Sequence, residues 1–466
     1  MRELGRERWR WALLAVVLAG TAVRFATLDV QSLWLDEAVT HDLVTRSLGG
    51  MLRAIPGSES TPPLYYVLAW GWVRLFGAGA VGLRSLSALF GSATIAMMAA
   101  IGYRVAGWRA SLAAAALVAA SPLLIWYSQE ARAYALLVLL SAVTLWCLLR
   151  EDWRGWAIAA ALALATHYFA VFIVVPEAVW MLWRHGRSSR GVRVAIGFVI
   201  VVGAALLPLA VDQAGGSRAA FIRSSPLGTR VAEIPKQFLT GYATPSATVL
   251  TIVAALLAVG LAPALRARDR GLLALAALAV GVPIVLALAG GDFVITRNLI
   301  AATVPLIALA AAAASRTRTG PLLVAGICAA GVVAFVGVET NPAYQRDDWR
   351  GVAAAIGPPT VGPRVIVIDQ ASGLPALALY LPLSPVPAAA TTSVSTREID
   401  VVLVGRNPPA PPVLPLAGFA PDLVHTGAFT LVRYFAAVPI SESYAQFVAL
   451  GKALVPSLGP VAALSG

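Results

Sequence analysis

The sequence predicts an α-helical polytopic membrane protein with a small α/β domain at its C-terminal end. Of the 466 residues, 59% are hydrophobic and only 12% are charged, whereas an average soluble domain is about 25% charged. The mean hydropathy is +0.79. Apolar runs of the length that a membrane helix needs, about 20 residues, recur between residues 11 and 338. These observations exclude an ordinary soluble enzyme and a disordered chain.

Eleven apolar runs predict about 11 transmembrane helices. They lie at 11–29, 85–103, 109–127, 131–149, 155–169, 170–184, 193–211, 247–265, 271–290, 298–314 and 321–338. We expect the first run to be an uncleaved anchor, because it is long and lacks a clear small-residue cleavage site.

A further apolar run, residues 63–80, contains aromatic side chains and Arg74, and we predict that it lies along the membrane interface. The eleven spans then place in the cytoplasm six loops that hold 17 arginines, as the positive-inside rule requires. These loops are 1–10, 102–110, 150–154, 184–193, 266–270 and 315–319. They also carry the whole net charge of +12, so the charge indicates orientation in a plasma (inner) membrane and no nucleic acid partner. The N-terminus is predicted inside and the C-terminus outside.

The composition changes after Glu339, which predicts two domains, 1–338 in the membrane and 339–466 outside it. In the second domain the segments 364–369, 400–405 and 429–435 read as strands, and a helix is expected near 373–381. The Pro-rich segment 407–415 is predicted to be a loop or a short polyproline linker.

Two adjacent carboxylates, Asp36 and Glu37, lie in the first outward loop, in WLDEAVTH. On a helix they would point about 100° apart, so that one faces a cavity while the other braces it. Glu37 and His41 are spaced i, i+4 and are expected to share a face. The alternative is a solvated loop with ordinary charges.

A second polar group occupies WYSQEARAY at 126–134, a short outward turn. Tyr127, Glu130 and Tyr134 follow helical spacing and are predicted to line one helix face, with Arg132 beside them. Charged groups at membrane depth are costly and usually functional. The alternative is a structural ion pair between Glu130 and an arginine.

Three further segments place polar residues on the outward side. His167 and Tyr168 occupy a turn, where a histidine serves as a structural hydrogen-bonding group or as a ligand. Tyr65 and Tyr66 follow two prolines in STPPLYY and are natural headgroup-level residues. Arg297 opens a span, and its planar guanidinium suits a phosphate oxygen or a simple interfacial anchor.

The series WLDEA, PPLYY, YSQEARAY, THYF and a late R-N-L resembles the GT-C glycosyltransferases over about residues 10–310. It is most similar to the branch of the protein O-mannosyltransferases and the lipid A aminoarabinose transferases. The resemblance implies the GT-C fold with interfacial juxtamembrane helices. Asp36 matches the family's catalytic acid, Glu37 its partner and Glu130 the second acidic position.

The resemblance also associates Arg132 and Arg297 with the lipid phosphate, although Asn298 stands where family members commonly have tyrosine. The other expected substrate-binding residues are His41, Tyr65, Tyr127, His167 and Tyr168. The implied partners are a polyprenyl-phosphate sugar donor, membrane lipids and a glycan, lipid or protein acceptor in the cell envelope.

The function implied is an inverting sugar transfer, of the mannosyltransferase type, to an acceptor hydroxyl on the outer face of the membrane, with Asp36 as the general base. No essential cofactor or metal is expected, although Glu130 and His167 leave room for a divalent metal. Alternative functions are a lipid-linked sugar flippase or transporter and an O-antigen-ligase-like polymer transferase.

Overall fold

The structure of the protein is a computed structural model. It describes residues 2–186, 189–214, 217–358, 364–369, 373–386, 393–404, 418–426, 428–454 and 461–465. The predicted Pro-rich segment 407–415 lies outside these residues.

The chain divides into two compact units. The first unit comprises residues 1–28 and 42–337, and the second comprises 29–41 and 338–466. The inclusion of 29–41 in the second unit was not predicted from the sequence. The domain boundary between residues 338 and 339 stays a prediction.

Helices account for nearly all of the chain before residue 341. In chain order they are α1 Arg2–Ala26, α2 Leu35–Thr45, α3 Leu48–Ser58, α4 Leu64–Phe76, α5 Ala80–Ala106, α6 Trp108–Ala120, α7 Pro122–Ser128, α8 Tyr134–Leu149, α9 Trp153–Thr166, α10 Val171–His185, α11 Arg190–Ala214, α12 Leu227–Thr240, α13 Ala247–Val259, α14 Arg270–Leu288, α15 Thr303–Ala314 and α16 Gly320–Thr340. The class predicted from composition, a helical polytopic membrane protein, is confirmed.

Seven helical stretches of the described residues are long and apolar enough to cross a membrane. An eighth is formed if α6 and α7 count as one broken span, which bends by 62°. The bend occurs where Ser121 accepts a hydrogen bond from the Leu124 amide and Pro122 opens a new helix. The span predicted over 109–127 is interrupted by this bend, and the total of eleven spans stays a prediction.

Helix α7 packs tightly against α1 and α5. A Cβ atom added to Gly91 would lie 1.9 Å from the Ser128 Oγ atom, so only glycine permits this approach. The guanidinium of Arg24 is fully buried there, and it donates to Ser128 Oγ over 3.1 Å and to the Val118 carbonyl over 2.8 Å. These contacts fix the end of α7, from which the segment with Glu130 and Arg132 emerges.

The second unit contains a six-stranded sheet in the order β2-β6-β1-β3-β5-β4. The strands are β1 Arg364–Ile368, β2 Ser384–Pro385, β3 Ser393–Val404, β4 Ala420–Thr426, β5 Phe429–Ser443 and β6 Val461–Ser465. Strands β1 and β3 are parallel, and the other pairs are antiparallel. Helices α17 Trp349–Ile356, α18 Gly373–Leu377 and α19 Tyr444–Leu454 complete the unit. The predicted α/β class is confirmed, with strands at each of the three predicted places.

A buried charge network joins the central strands of this sheet. Arg364 contacts Glu398 over 2.9 Å, and Arg433 contacts Asp400 over 2.7 Å and Glu398 over 2.8 Å. Arg364 and Asp400 are fully buried. Because burying charges is unfavourable unless they are paired, each member depends on the others.

We expect Arg364→Met to destabilise the second unit by roughly 3–5 kcal/mol, because two buried carboxylates then share one arginine. The matched control is Arg350→Met, which removes the exposed pair with Asp29 and is expected to change stability by about 0–1 kcal/mol. Both changes in stability are measured by heating the full-length protein in detergent and monitoring unfolding through the onset of proteolysis within 341–466. Equal effects of the two substitutions would contradict the buried network.

Candidate active site

The segment 129–133 breaks the chain between α7 and α8, and it carries Glu130 and Arg132. The prediction that Tyr127, Glu130 and Tyr134 share a face of one helix is therefore wrong. The rings of Tyr127 and Tyr134 nevertheless lie 4.6 Å apart across the break. Gln129 anchors the segment to α1, because its side-chain amide donates to the Val23 carbonyl over 3.0 Å. Glu130 is buried, with 1% of its surface exposed.

Arg132 forms an ion pair with Glu59, and both side chains are buried. The Cζ atom of Arg132 also lies 6.0 Å from the centre of the Tyr66 ring, within reach of a cation–π interaction. The hydroxyl groups of Tyr66 and Thr61 share a hydrogen bond of 3.3 Å. Sequence reasoning missed Glu59, which lies three residues before the PPLYY motif.

Tyr65 is linked to the backbone of Arg132 through Ser87. The Tyr65 hydroxyl lies 2.9 Å from Ser87 Oγ, and the Ser87 hydroxyl donates to the Arg132 carbonyl over 3.4 Å. Tyr65 and Tyr66 are fully buried within the protein, where both hydroxyls have partners. Their expected position at headgroup level stays a prediction.

Several aromatic groups surround His167, which is 3% exposed. Its ring lies 5.4 Å from that of Tyr134 and 5.2 Å from that of Phe169. Arg132 and Arg297 both act electrostatically on His167, so the two arginines approach one place from distant parts of the sequence.

Tyr242 extends this group toward Glu130. Its hydroxyl is hydrogen-bonded to that of Tyr127. Burial raises the pKa of Tyr242, and the neighbouring Glu130 also raises it, while Arg297 lowers it. The helical unit thus brings together Tyr127, Glu130, Arg132, His167 and Arg297, and Tyr242 joins them.

Tyr168 contacts helix α11 through its hydroxyl. Its hydroxyl donates to Gln213 Oε1 over 2.7 Å, and the Gln213 amide donates to the Thr61 carbonyl over 3.2 Å. Tyr168 is therefore linked to the segment that carries Glu59. The sequence did not indicate Gln213, because it lies near the end of a long apolar helix.

Arg297 lies in a 3-10 turn, Thr296–Ala302. Asn298 is buried and donates to the Phe293 carbonyl over 2.8 Å, which closes the preceding turn. This contact gives a structural reason for asparagine at a position where the resembling families commonly have tyrosine. The Cζ atom of Arg297 lies 5.3 Å from the centre of the Phe221 ring.

An ion pair between Arg230 and Asp292 connects α12 to the segment that precedes Arg297. The guanidinium contacts both carboxylate oxygens, over 2.9 and 2.6 Å, and also donates to the Val294 carbonyl. The hydrogen bonds from Arg230 hold the pKa of Asp292 below its ordinary value. The pair therefore stabilises the fold above about pH 3.9 and is lost as the pH falls through the lowered pKa.

We expect Asp292→Asn to weaken the positioning of Arg297 and to lower, by about tenfold, the turnover of the polyprenyl-phosphate sugar donor that the sequence resemblance implies. The matched control is Glu233→Gln, which removes one carboxylate from the more exposed pair with Lys236 on α12. Steady-state measurement of kcat and KM for the donor tests this, provided that the melting temperatures agree. Unchanged kinetics in Asp292→Asn would show that the ion pair does not position Arg297.

The acidic pair begins α2, with Asp36 and Glu37 in its first turn. Glu37 is fully buried, and Asp36 and His41 are half-buried. The Thr40 hydroxyl donates to the Asp36 carbonyl over 3.1 Å. These three site residues belong to the second compact unit, whereas the arginine cluster belongs to the first.

The chain before Asp36 is fixed by the C-terminal part of the second unit. The Ser32 hydroxyl donates to the Asp347 carbonyl over 2.7 Å and accepts from the Trp349 amide over 3.0 Å. The Leu33 amide donates to the Tyr380 hydroxyl over 2.7 Å. Ala38 packs in the same hydrophobic cluster as Trp349.

Among the described residues, no group of three or more His, Cys, Asp or Glu side chains is arranged to hold a metal ion. The expectation that no metal is essential stays a prediction.

The fold and the site define a polytopic membrane protein with buried acids and partly exposed arginines that suit a phosphate-bearing ligand. Residues 60–211, about a third of the chain, match the family model described as dolichyl-phosphate-mannose-protein mannosyltransferase. The match includes the PPLYY, SQEAR and THYF segments, and Asp36 and Arg297 lie outside it. The matched third of the chain is therefore similar to this mannosyltransferase family.

Two solved structures of ArnT from Cupriavidus metallidurans are similar to this chain. The apo structure is 17% identical with a TM-score of 0.40, and the match covers 81% of this chain and 84% of that one. The structure bound to undecaprenyl phosphate is 16% identical with a TM-score of 0.41, and the match covers 91% and 98% respectively. No curated protein sequence matches the chain.

Proposed function

We propose that the protein transfers a sugar from a polyprenyl-phosphate-linked donor to an acceptor hydroxyl on the outer face of the membrane. The observation that carries this proposal is the position of Arg132, which pairs with Glu59 and lies 6.0 Å from the centre of the Tyr66 ring. Arg132 and Arg297 both act electrostatically on the buried His167. Arginines in a buried polar cluster suit a phosphate, and the matching family model names a dolichyl-phosphate sugar. The acid pair of α2 supplies a candidate base.

The proposed reaction is an inverting displacement at the anomeric carbon. The Asp36 carboxylate accepts the proton of the acceptor hydroxyl as its oxygen bonds to that carbon. The bond between the carbon and the phosphate oxygen breaks, and the polyprenyl phosphate leaves with the electron pair. Arg132 and Arg297 stabilise the charge that develops on the phosphate, while Glu130 orients the arginines.

The second candidate function is translocation of a lipid-linked sugar. Glu177 in α10 favours it, because this carboxylate is buried in an apolar helix, where charged groups usually mark transport pathways. The side chains of Trp156 and Thr144 donate to it over 2.8 and 3.2 Å, which equally suits a structural role. The sequence analysis did not single out Glu177.

A donor panel tests the proposed function. Purified protein is incubated with polyprenyl-phosphate-linked mannose, arabinose, aminoarabinose or galactose and envelope acceptors, and the release of free polyprenyl phosphate is measured. We expect release with at least one donor in an acceptor-dependent manner. Donor movement across vesicles with no release in any combination would favour the translocation function instead.

We expect treatment with EDTA to leave this transfer rate within about twofold of the untreated rate, because arginines can stabilise a phosphate leaving group without a metal. Metal analysis of the treated protein verifies removal. A loss of transfer that added Mg²⁺ or Mn²⁺ restores would show that a metal is required.

A further inference from the structure

A cavity of about 270 Å³ lies among α5, α8, α10 and α14, away from the candidate active site. Its inner wall is apolar and includes Leu148, Met181 and Leu272, and its rim carries Arg104, Arg184 and Arg268. The rim is formed by four of the loops that the arginine pattern assigns to the cytoplasmic side.

The acidic residues of this rim leave most of its positive charge uncompensated. Asp269 is 3% exposed, and both of its oxygens accept hydrogen bonds from the Arg316 guanidinium. Glu151 is half exposed, and it lies 3.8 Å from Arg184 and 3.7 Å from His185, too far for a hydrogen bond. The positive charges of the three rim arginines are therefore balanced only in part, by the solvated carboxylate of Glu151.

We propose that this cavity binds a phosphate group, carried either by an anionic lipid headgroup or by a small soluble phosphate. Arginines recognise phosphate oxygens with two parallel hydrogen bonds, and basic pockets between membrane helices on the cytoplasmic side suit acidic headgroups. Pockets that enclose a complete small molecule usually have volumes of about 300 Å³ or more. The volume of this cavity lies just below that range and suits a lipid headgroup. The inference is independent of the proposed reaction.

The test compares two triple variants that lose the same charge. The first is Arg104→Gln, Arg184→Gln and Arg268→Gln at the rim. The control changes exposed arginines in the same loops that do not line the cavity, Arg109→Gln, Arg154→Gln and Arg193→Gln. Native mass spectrometry of the detergent-solubilised proteins counts bound phosphatidylglycerol, with phosphatidylcholine as the zwitterionic comparison.

We expect the rim variant to bind phosphatidylglycerol at least tenfold more weakly than the wild type, and the control to change by less than twofold. Competition by millimolar inorganic pyrophosphate shows that a soluble phosphate occupies the same site, and no competition shows that the site selects the lipid headgroup. Equal losses in both triple variants, or no loss in the rim variant, would overturn the proposal. If the rim variant fails to fold, Arg268→Gln against Arg154→Gln provides the same comparison with single changes.

Discussion

Replacing Asp36 by asparagine is expected to lower kcat by about 10²–10⁴-fold, the range that a positioned general base contributes. The amide has nearly the shape of the carboxylate, so the first turn of α2 keeps its packing, but it cannot accept the proton of the acceptor hydroxyl. The affinity for polyprenyl phosphate is expected to stay within about twofold, because Asp36 contacts the acceptor and not the leaving group in the proposed mechanism.

A structural role for Asp36 makes a different prediction. A carboxylate in the first turn of a helix interacts favourably with the helix dipole, by about 0.3–1 kcal/mol. Its loss would then lower the melting temperature slightly and leave kcat unchanged in the folded protein.

The control for this experiment is Asp42→Asn. Asp42 lies on the same helix, is exposed and pairs with Arg46, so the substitution removes the same charge outside the proposed site. Wild-type turnover in a folded Asp36→Asn protein, or an equal loss in Asp42→Asn, would rule out Asp36 as the base.

Local patterns in the sequence predicted the elements whose burial is uniform. Strand β1, Arg364–Ile368, is buried at all five positions, and the continuous apolar run that follows Arg364 predicted a strand. The class of the membrane unit was equally evident, because a membrane helix needs a long apolar run whatever its neighbours are. Strands β2, β4 and β6 were missed, since β2 has only two residues, β4 contains Pro421 and Asp422, which strands disfavour, and β6 has a weakly patterned sequence.

The partners of the site residues could not be predicted from such local patterns. Glu59 with Arg132 and Arg230 with Asp292 pair across long stretches of chain, and such pairs depend on tertiary packing rather than on local spacing. The helical face expected for Tyr127, Glu130 and Tyr134 failed for a related reason. A spacing of i, i+3, i+7 predicts a shared face only where the backbone is a continuous helix, and the chain leaves the helix after Ser128.

The second large effect is expected for Arg132. We expect Arg132→Gln to lower kcat/KM for the donor by about 10²–10³-fold, the loss found when one stabilising donor is removed from a site of developing negative charge. Arg132→Lys keeps the charge but not the planar fork, so it is expected to recover only part of this loss.

Glu59 distinguishes phosphate binding from support of the fold. The ion pair buries both side chains, so Arg132→Gln also leaves a carboxylate without this partner, and part of any loss could arise from misfolding. The double variant Glu59→Gln/Arg132→Gln removes the buried negative charge that the single variant leaves. If Arg132 acts on the leaving phosphate, the double variant regains its melting temperature but not its turnover, and its affinity for polyprenyl phosphate stays low. Recovery of both stability and turnover would show that Arg132 serves the fold alone, and the phosphate would then depend on Arg297.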